Sequence, residues 1–516
     1  MAFVLIGFMG AGKSTAASEL AGALGTTALD SDRLLQERLG HTVAREFELR
    51  GEAAFRAGEE ELVCELLKGA SEESVIALGG GSVLSERVRR ELSPHVTVLL
   101  DVEPELAWER VRSAGMERPL ARDRDAFGAL AAERRALYEE LADAVLPANT
   151  GGTITRALRA LRSLAAAPPG TRLLWATSAS GDYPVLVGRG LLEDGDTIGR
   201  IWPLERSASR SFCVTDETVG PLFAERLGQL AATVTIAPGE PHKTLASAER
   251  VWRELLGAGM RRADHVVALG GGVVGDLAGF CAATYQRGVP VVHVPTTLVA
   301  QVDSAYGGKT GVDLPEAKNY VGAYHQPAGV LVDPDTLATL PADELAGGWV
   351  EVLKTALIAG GGLWESVAAG ERVDERTILA CVRTKLAVVA ADERDAGRRQ
   401  VLNLGHTVGH AIESATGYGR YRHGEAVGMG LLAALRLSGR DDLRAQVREL
   451  LLAGGLPVTL SASEATVDRL IEAIGRDKKR LGANVPFVLL AAPGEVRVGC
   501  EVAPAELRGA VEELVR

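Results

Sequence analysis

The chain has 516 residues, of which 47% are hydrophobic and 24% charged, and its formal net charge is −12. This length predicts two to four domains, each with its own core, and the negative charge disfavours nucleic acid and anionic membranes as general partners. Five scattered cysteines without CxxC spacing, no apolar run of about 18 residues and no signal-like N-terminus favour a cytoplasmic protein in a reducing compartment.

A phosphate-binding loop begins the chain. The apolar run at residues 3–6 predicts a buried parallel strand, and GFMGAGKST at residues 7–15 fits GxxxxGK[ST] with a helical pattern after it. In such a loop the backbone N–H groups wrap the phosphates, the lysine reaches the β- and γ-oxygens and the serine can ligate Mg²⁺. The predicted nucleotide-binding residues are Gly10, Ala11, Gly12, Lys13, Ser14 and Thr15.

Candidate residues for an acceptor follow the loop. They comprise two carboxylates at a strand end (Asp30, Asp32), an arginine after a helix start (Arg56), a glycine triplet after a third strand (Gly79, Gly80, Gly81), a loop arginine (Arg118) and a helical arginine (Arg134). These motifs occur in the order found in shikimate kinases, which residues 1–164 resemble. The resemblance implies ATP with Mg²⁺, the metal lying at Ser14 and Asp30. It implies that Asp32, Arg56 and Arg134 bind shikimate, with the glycines lining the pocket and Arg118 on a closing lid. The chain departs from the family pattern at residues 118–121 and 134–138.

A linker is predicted at residues 165–171, where AAAPPG ends a helical pattern. The predicted domains are 1–164, a P-loop kinase domain; 172–345, an α/β nucleotide-binding domain; and 346–516, a mainly helical metal-binding domain. The predicted fold class is α/β, with a parallel sheet flanked by helices in the kinase part.

Histidines are concentrated in one stretch of the second half. His406 and His410 are four residues apart, which places them on one helix face, and His423 follows, while Glu351 lies upstream on a predicted helix. Two histidines with one carboxylate are the ligands of a catalytic zinc-type site. Histidines on a helix surface or in a core are the alternative interpretation of the spacing.

Lysine placement is the second signal. The chain has only nine lysines, and all except Lys68 lie within the motifs. Where arginine otherwise predominates, a retained lysine indicates a need for a compact point charge.

Several long motifs of residues 172–516 resemble 3-dehydroquinate synthase: GGGVVGDLAGF, PTTL, GGKTG, EVLK and NLGHTVGH. The resemblance implies Glu351, His406 and His423 as ligands of Zn²⁺ or Co²⁺, with His410 near the substrate. It implies NAD⁺ contacts from Asp216, Glu240, Lys243, Gly270, Gly271, Gly272, Asp276, Thr296, Thr297, Asp303 and Lys318. It implies substrate or catalytic roles for Asp303, Lys309, Asn319, Lys354, Lys385, Arg399 and Asn403, and a homodimer through this half. Departures are Tyr306, expected to add bulk near the substrate lysine, Trp349 and Asp395.

The combined interpretation is a bifunctional enzyme acting on small molecules, with Lys13 and Asp32 carrying the kinase chemistry. Two alternatives stay open at this point. The second half could be another sugar-phosphate cyclase or a metal- and NAD-dependent polyol dehydrogenase, although dense lysines disfavour a neutral polyol. The first half could be a non-catalytic nucleotide-binding module.

Overall fold

The computed structural model describes residues 1–113, 123–148, 151–205, 207–481 and 485–516, with backbone alone for 476–481. Two compact units contain Met1–Thr177 with Asp182–Pro203, and Ser178–Gly181 with Leu204–Arg516. The expected linker at 165–171 lies within the first unit, so the division at that point stays a prediction. No helix in these ranges has the length and apolar character needed to cross a membrane.

The first unit is built on a sheet whose strands follow the order β2-β3-β1-β4-β5-β6-β7. Neighbours are parallel from β2 to β6, and β6 pairs antiparallel with β7. All four residues of β1 are buried, as expected for a parallel strand covered on both faces. The strands are β1 (Phe3–Ile6), β2 (Ala28–Asp30), β3 (Val75–Ala77), β4 (Val96–Asp101), β5 (Ala144–Pro147), β6 (Arg172–Ala176) and β7 (Tyr183–Val187).

Helices surround this sheet, and two of them begin or bend at residues that matter for the site. The first begins after Gly12, whose φ of 86° turns the phosphate loop into the helix, and the third contains Gly51 in a left-handed conformation. The helices are α1 (Lys13–Leu24), α2 (Ser31–Leu39), α3 (Val43–Lys68), α4 (Glu86–Leu92), α5 (Pro104–Ser113), α6 (Arg124–Leu141), α7 (Thr153–Leu164) and α8 (Gly195–Ile201).

The second unit contains a parallel sheet in the order β14-β11-β10-β8-β9 and two antiparallel hairpins. Such a sheet binds ligands at the carboxyl ends of its strands. Its strands and hairpins are β8 (Ser211–Asp216), β9 (Ala232–Ile236), β10 (His265–Gly270), β11 (Val291–Pro295), β12 (Lys309–Leu314), β13 (Ala317–Tyr324), β14 (Gly329–Val332), β15 (Phe487–Ala492) and β16 (Glu495–Cys500).

From residue 342 the second unit is mainly helical, which confirms the predicted fold class together with the parallel strands of both units. A π-helical turn at Ala300–Ser304 precedes this region. The helices are α9 (Gly220–Phe223), α10 (Leu245–Gly257), α11 (Gly272–Thr284), α12 (Ala342–Ala359), α13 (Gly361–Ala368), α14 (Glu375–Ala391), α15 (His406–Ala415), α16 (His423–Leu437), α17 (Asp441–Ala453), α18 (Val467–Leu481) and α19 (Pro504–Glu512).

Glycines let three of these helices approach closely. A Cβ added to Gly424 on α16 would lie 2.5 Å from Cα of Gly347 on α12, and one added to Gly430 would lie 2.9 Å from N of Gly409 on α15. Real Cβ atoms essentially never come under 3.0 Å. The backbones of α12, α15 and α16 therefore meet directly, which brings together the residues that begin or face these crossings.

Candidate functional site

The phosphate loop of the first unit lies between β1 and α1, in the strand–loop–helix order that the sequence predicts. Lys13 Nζ donates to the carbonyl oxygens of Gly7 and Phe8, at 2.8 and 3.1 Å, so the lysine lies across the loop. Ser14 Oγ donates to Asp30 Oδ2 at 2.5 Å. The hydroxyl and carboxylate predicted to bind Mg²⁺ thus meet where α1 begins and β2 ends. Ala11 is buried within the loop, and Thr15 follows on α1.

The predicted acceptor residues also come together. A Cβ on Gly79 would overlap Asp32 Oδ1, and one on Gly81 would lie 2.6 Å from Cζ of Arg56. The glycines therefore keep open the space in which Asp32 and Arg56 lie. Gly80 accepts a hydrogen bond from Tyr138 on α6, and the buried Arg134 contacts the same tyrosine hydroxyl. Arg118 lies outside the described residues.

Glu59 is a residue of this pocket that the motifs did not single out. It is buried on α3, one turn after Arg56, and its Oε2 accepts from Arg56 Nη1 at 2.7 Å. Burial raises its pKa although Arg56 opposes this. The spacing of three residues was the available signal, because residues i and i+3 share a helix face.

In the second unit, several of the predicted cofactor residues lie at or just after the carboxyl ends of β8, β10 and β11. Asp216 Oδ1 accepts from the N–H groups of Thr218 and Val219, both at 2.8 Å. A Cβ on Gly271 would lie 2.8 Å from Thr297 Cγ2, so the glycine turn packs against the residues after β11. The neighbouring Gly270 ends β10, Gly272 begins α11 and Thr296 is buried.

Lys243 organises a cluster of charges beside this turn. Its Nζ lies 3.0 Å from Glu240 Oε1 and 3.2 Å from Asp276 Oδ2, and it donates to Asn319 Oδ1 at 2.6 Å. Burial raises the pKa of Asp276 to about 6, with Lys243 acting against it. Asn319, predicted to bind substrate, thus contacts Lys243, which is predicted to bind the cofactor. Asp313, which the motifs left unassigned, accepts from its N–H at 2.7 Å.

The predicted metal ligands converge from three helices. Glu351 Oε1 lies 3.4 Å from His423 Nε2 and 3.9 Å from His406 Nε2. One donor atom from each residue lies within 4.8 Å of the others. His410 lies one turn beyond His406, with ring centroids 5.3 Å apart. Glu351 is fully buried, and within the described ranges its Oε1 accepts no hydrogen bond.

The charges of these groups suit a divalent cation. Burial opposes ionisation of Glu351, but Lys354 and the histidines outweigh it, so its pKa is held well below the usual range. Burial and Lys354 hold the pKa of His406 well below the usual range, which keeps its ring neutral. Burial opposes a charge on His423, yet Glu351 and Glu413 raise its pKa to about 10. Two imidazoles and a carboxylate in a site that favours positive charge fit zinc or cobalt.

Two buried lysines are linked to this group through ion pairs. Lys354 is buried in ion-pair contact with Glu351 and lies 3.6 Å from Asp303 on the π-helical turn, and Lys385 contacts the same aspartate. These lysines overcome the burial of Asp303 and hold its pKa low. Lys309, half exposed, lies 2.5 Å from Asp395 Oδ2.

Arg399 is a buried cation whose donors are only partly used. Its Nη1 donates to the carbonyl of Glu393 at 2.5 Å, whereas no described residue accepts from its Nε or Nη2. Unfilled donors on a buried guanidinium fit an anionic ligand. Asn403 ends the 3₁₀ helix that contains Arg399 and lies three residues before the start of α15.

Two further observations concern residues that sequence reasoning treated incompletely. Lys318, predicted to contact the cofactor, also donates a hydrogen bond to the buried Glu413 at 3.1 Å. Glu413, three residues after His410 on the same helix face, was not predicted. Tyr306 is buried, and its hydroxyl donates to the carbonyl of Gln301 at 2.7 Å. Its predicted influence on specificity stays a prediction.

Comparisons with known proteins agree with both halves of the sequence interpretation. The shikimate kinase family model matches residues 9–162, and the N-terminal and C-terminal models of 3-dehydroquinate synthase match residues 233–347 and 348–480. The 3-dehydroquinate synthase of Halorhodospira halophila is 44% identical over 361 residues, covering 67% of this chain and 100% of the relative. That of Caulobacter vibrioides is 43% identical over 357 residues, covering 64% and 95%.

A solved structure supports the same relationship. It is the 2-epi-5-epi-valiolone synthase of Streptomyces hygroscopicus with NAD⁺ and Zn²⁺ bound, with a TM-score of 0.58, 26% identity, and coverage of 64% of this chain and 96% of that one. The predicted resemblances are confirmed: the chain belongs to the 3-dehydroquinate synthase family and carries a shikimate kinase domain ahead of the synthase part.

Proposed function

We propose that this chain catalyses two reactions of the shikimate pathway. The first unit transfers the γ-phosphoryl group of ATP to shikimate, giving shikimate 3-phosphate. The second converts 3-deoxy-D-arabino-heptulosonate 7-phosphate to 3-dehydroquinate with release of phosphate, using NAD⁺ and a bound Zn²⁺ or Co²⁺. The observation that carries the proposal is the convergence of Glu351, His406 and His423, together with the buried Lys354, which contacts Glu351, and Lys385, which shares Asp303 with Lys354.

In the kinase, side chains of this chain position the two substrates and neutralise the charge of the phosphates. Lys13 balances the phosphate charge, while Ser14 and Asp30 would hold the magnesium ion. Asp32 accepts the hydroxyl proton of the acceptor, and Arg56 and Arg134 bind its carboxylate. Phosphoryl transfer depends mostly on alignment and neutralisation of charge, which this arrangement supplies.

In the synthase, Glu351, His406 and His423 would hold the metal, which would supply Lewis-acid polarisation of a substrate hydroxyl. Lys354, Lys385 and Arg399 bind the anionic substrate, and Lys309 and Asn403 contact it from the open side. His410, at the exposed end of the histidine group, takes and returns protons. The residues around Lys243 and residues 270–272 would hold NAD⁺, which would supply a reversible hydride acceptor.

The dense cations support a phosphorylated acid over a neutral polyol, and identities of 43–44% to 3-dehydroquinate synthases favour that substrate over those of other cyclases. A homodimer through the synthase half and a cytoplasmic location are part of the proposal. They are supported by the resemblance and, for the location, by four buried free cysteines.

The test follows phosphate release from the heptulosonate phosphate with NAD⁺ and zinc, with absorbance at the NADH band recorded in parallel. We expect phosphate without net NADH, loss of release after dipicolinate treatment, and recovery with zinc. Lys13→Met should abolish shikimate phosphorylation but not phosphate release, and His406→Ala should do the reverse. Accumulating NADH would instead indicate a dehydrogenase, and an inactive wild-type first unit would indicate a nucleotide-binding module.

A further inference from the structure

A continuous series of alternating charges joins the predicted cofactor residues to the predicted metal ligands. Lys243 lies 3.0 Å from Glu240, and Lys318 lies 3.7 Å from the same Glu240 oxygen. Lys318 Nζ then donates to Glu413 Oε1 at 3.1 Å, and that oxygen lies 3.5 Å from His423 Nδ1. Glu413, on α15, is therefore the only described carboxylate that contacts both Lys318 and His423, the first residue of α16.

The two nitrogens of His423 face opposite carboxylates. Nε2 points to Glu351 at 3.4 Å, and Nδ1 points to Glu413 at 3.5 Å. If Nε2 ligates the metal, Nδ1 carries the proton and Glu413 is its acceptor. A carboxylate in this position fixes the tautomer and ring orientation of a ligating histidine and makes it a stronger ligand.

Glu413 is shared between two cationic partners. Its side chain is 2% exposed, and its Oε2 has no hydrogen-bond partner among the described residues. A buried carboxylate with so few donors depends strongly on each of them. If an anionic ligand draws Lys318 toward Glu240, Glu413 loses its contact with Lys318. Its carboxylate then interacts with the His423 N–H alone.

We propose that Glu413 is a positioning residue that orients His423 and, through Lys318, couples binding of NAD⁺ to binding of the metal. The inference rests on the proposed function for the identity of the two ligands. Because coupling between sites is reciprocal, NAD⁺ tightens metal binding by the same factor by which the metal tightens NAD⁺ binding.

The experiment measures the zinc dissociation constant of the full chain by competition with a chromophoric chelator, with and without saturating NAD⁺. In the wild type we expect NAD⁺ to tighten zinc binding at least about fivefold, the lower range of coupling between sites. Glu413→Gln should weaken zinc binding about 10- to 100-fold, as for other residues that orient a ligand, and abolish the NAD⁺ effect. Glu413→Asp should restore part of both.

Glu425→Gln is the matched control. Glu425 lies two residues after His423 and accepts from the N–H of Arg422 at 2.8 Å, so its change removes a carboxylate from the same helix end. We expect wild-type zinc affinity and coupling from it. Equal weakening in both variants would show a general loosening of α16 and overturn the proposal.

Lys318→Met keeps the proposal testable should Glu413→Gln fail to fold. It should bind zinc at least as tightly as the wild type and show no effect of saturating NAD⁺; retained coupling would overturn the proposal. Wild-type zinc affinity in folded Glu413→Gln, or no NAD⁺ effect in the wild type, would also overturn it, even with an active synthase. Coupled binding without phosphate release would instead refute the proposed function alone.

Discussion

The contact between Gly424 and Gly347 predicts different effects for the two glycine-to-alanine substitutions at this helix crossing. A Cβ on Gly424 would lie 2.5 Å from Cα and 2.6 Å from the carbonyl carbon of Gly347, whereas a Cβ on Gly347 would meet nothing within 4 Å. Gly424→Ala should therefore disturb the crossing of α12 and α16, and Gly347→Ala should not, although both add one methyl group at the same crossing.

The magnitude follows from the contact distance. Ordinary contact begins at 3.4 Å, and backbone atoms cannot turn aside as a side chain can, so the helices must separate by about 1 Å. Overpacking of this kind costs about 1 to 3 kcal/mol. His423, next to Gly424, would move by a similar distance from Glu351, and displacement on the order of 1 Å in a positioned site lowers rates about 100-fold.

The assay combines thermal unfolding with zinc stoichiometry and phosphate release. Gly424→Ala should lower Tm by several degrees and lose most phosphate release, with shikimate phosphorylation unchanged. Gly347→Ala should be neutral or slightly stabilising, because alanine is favoured over glycine in a helix by roughly 0.5 to 1 kcal/mol. Equal effects of the two substitutions would refute the reasoning.

Three further predictions concern single side chains. Glu59→Gln should raise the KM for shikimate roughly tenfold, since a charge-assisted bond to Arg56 contributes about 1.5 to 3 kcal/mol, while the exposed Glu52→Gln, 3.3 Å from the same arginine, should change it little; equal KM values would contradict this. Asp392 accepts from the N–H groups of Ala396, Gly397 and Arg399, which lower its pKa from 3.8 to about 2. Its stabilisation is therefore complete above about pH 4 and is lost as the pH falls through about 2. Unfolding midpoints of the wild type and Asp392→Asn should thus differ near neutrality and converge in acid; a gap that persists in acid would contradict the prediction. Tyr306→Phe should lower the free energy of unfolding by about 1 kcal/mol, because the Gln301 carbonyl loses its donor, with unchanged KM for the heptulosonate phosphate; a large change in KM would show that the hydroxyl acts on substrate.

Local patterns predicted the parts of each site that lie close together in sequence. The phosphate loop needs only the order of residues 7–15, and His406 and His410 share a face because four residues complete a helical turn. The motifs also placed Glu351 and His423 in one site, and the structure brings their side chains together.

What the sequence did not reveal depends on contacts between distant segments. Lys318 and Glu413 are 95 residues apart, and no local pattern specifies such a pair. The crossing at Gly424 and Gly347 likewise depends on two helices whose glycines are unremarkable alone. Trp349, noted as a departure, lies on α12 two residues before Glu351, and the structure gives no account of that substitution.

The scarcity of lysine can now be related to geometry. Lys354 lies between the carboxylates of Glu351 and Asp303, and Lys243 lies among Glu240, Asp276 and Asp313. A compact ammonium can contact carboxylates on several sides, whereas a planar guanidinium presents its donors in one plane.

Lys68, on the surface, supports this interpretation by contrast. Lys68 forms a surface ion pair with Glu91 at 3.2 Å, a position that arginine would fill equally well, and it is the lysine outside the motifs. Arg399, where arginine is retained inside the site, uses the opposite property, because its Nε and Nη2 donate to no acceptor among the described residues. Lys243 and Lys354 therefore lie where protein carboxylates surround a compact ammonium, whereas Arg399 presents two donors that no described residue uses.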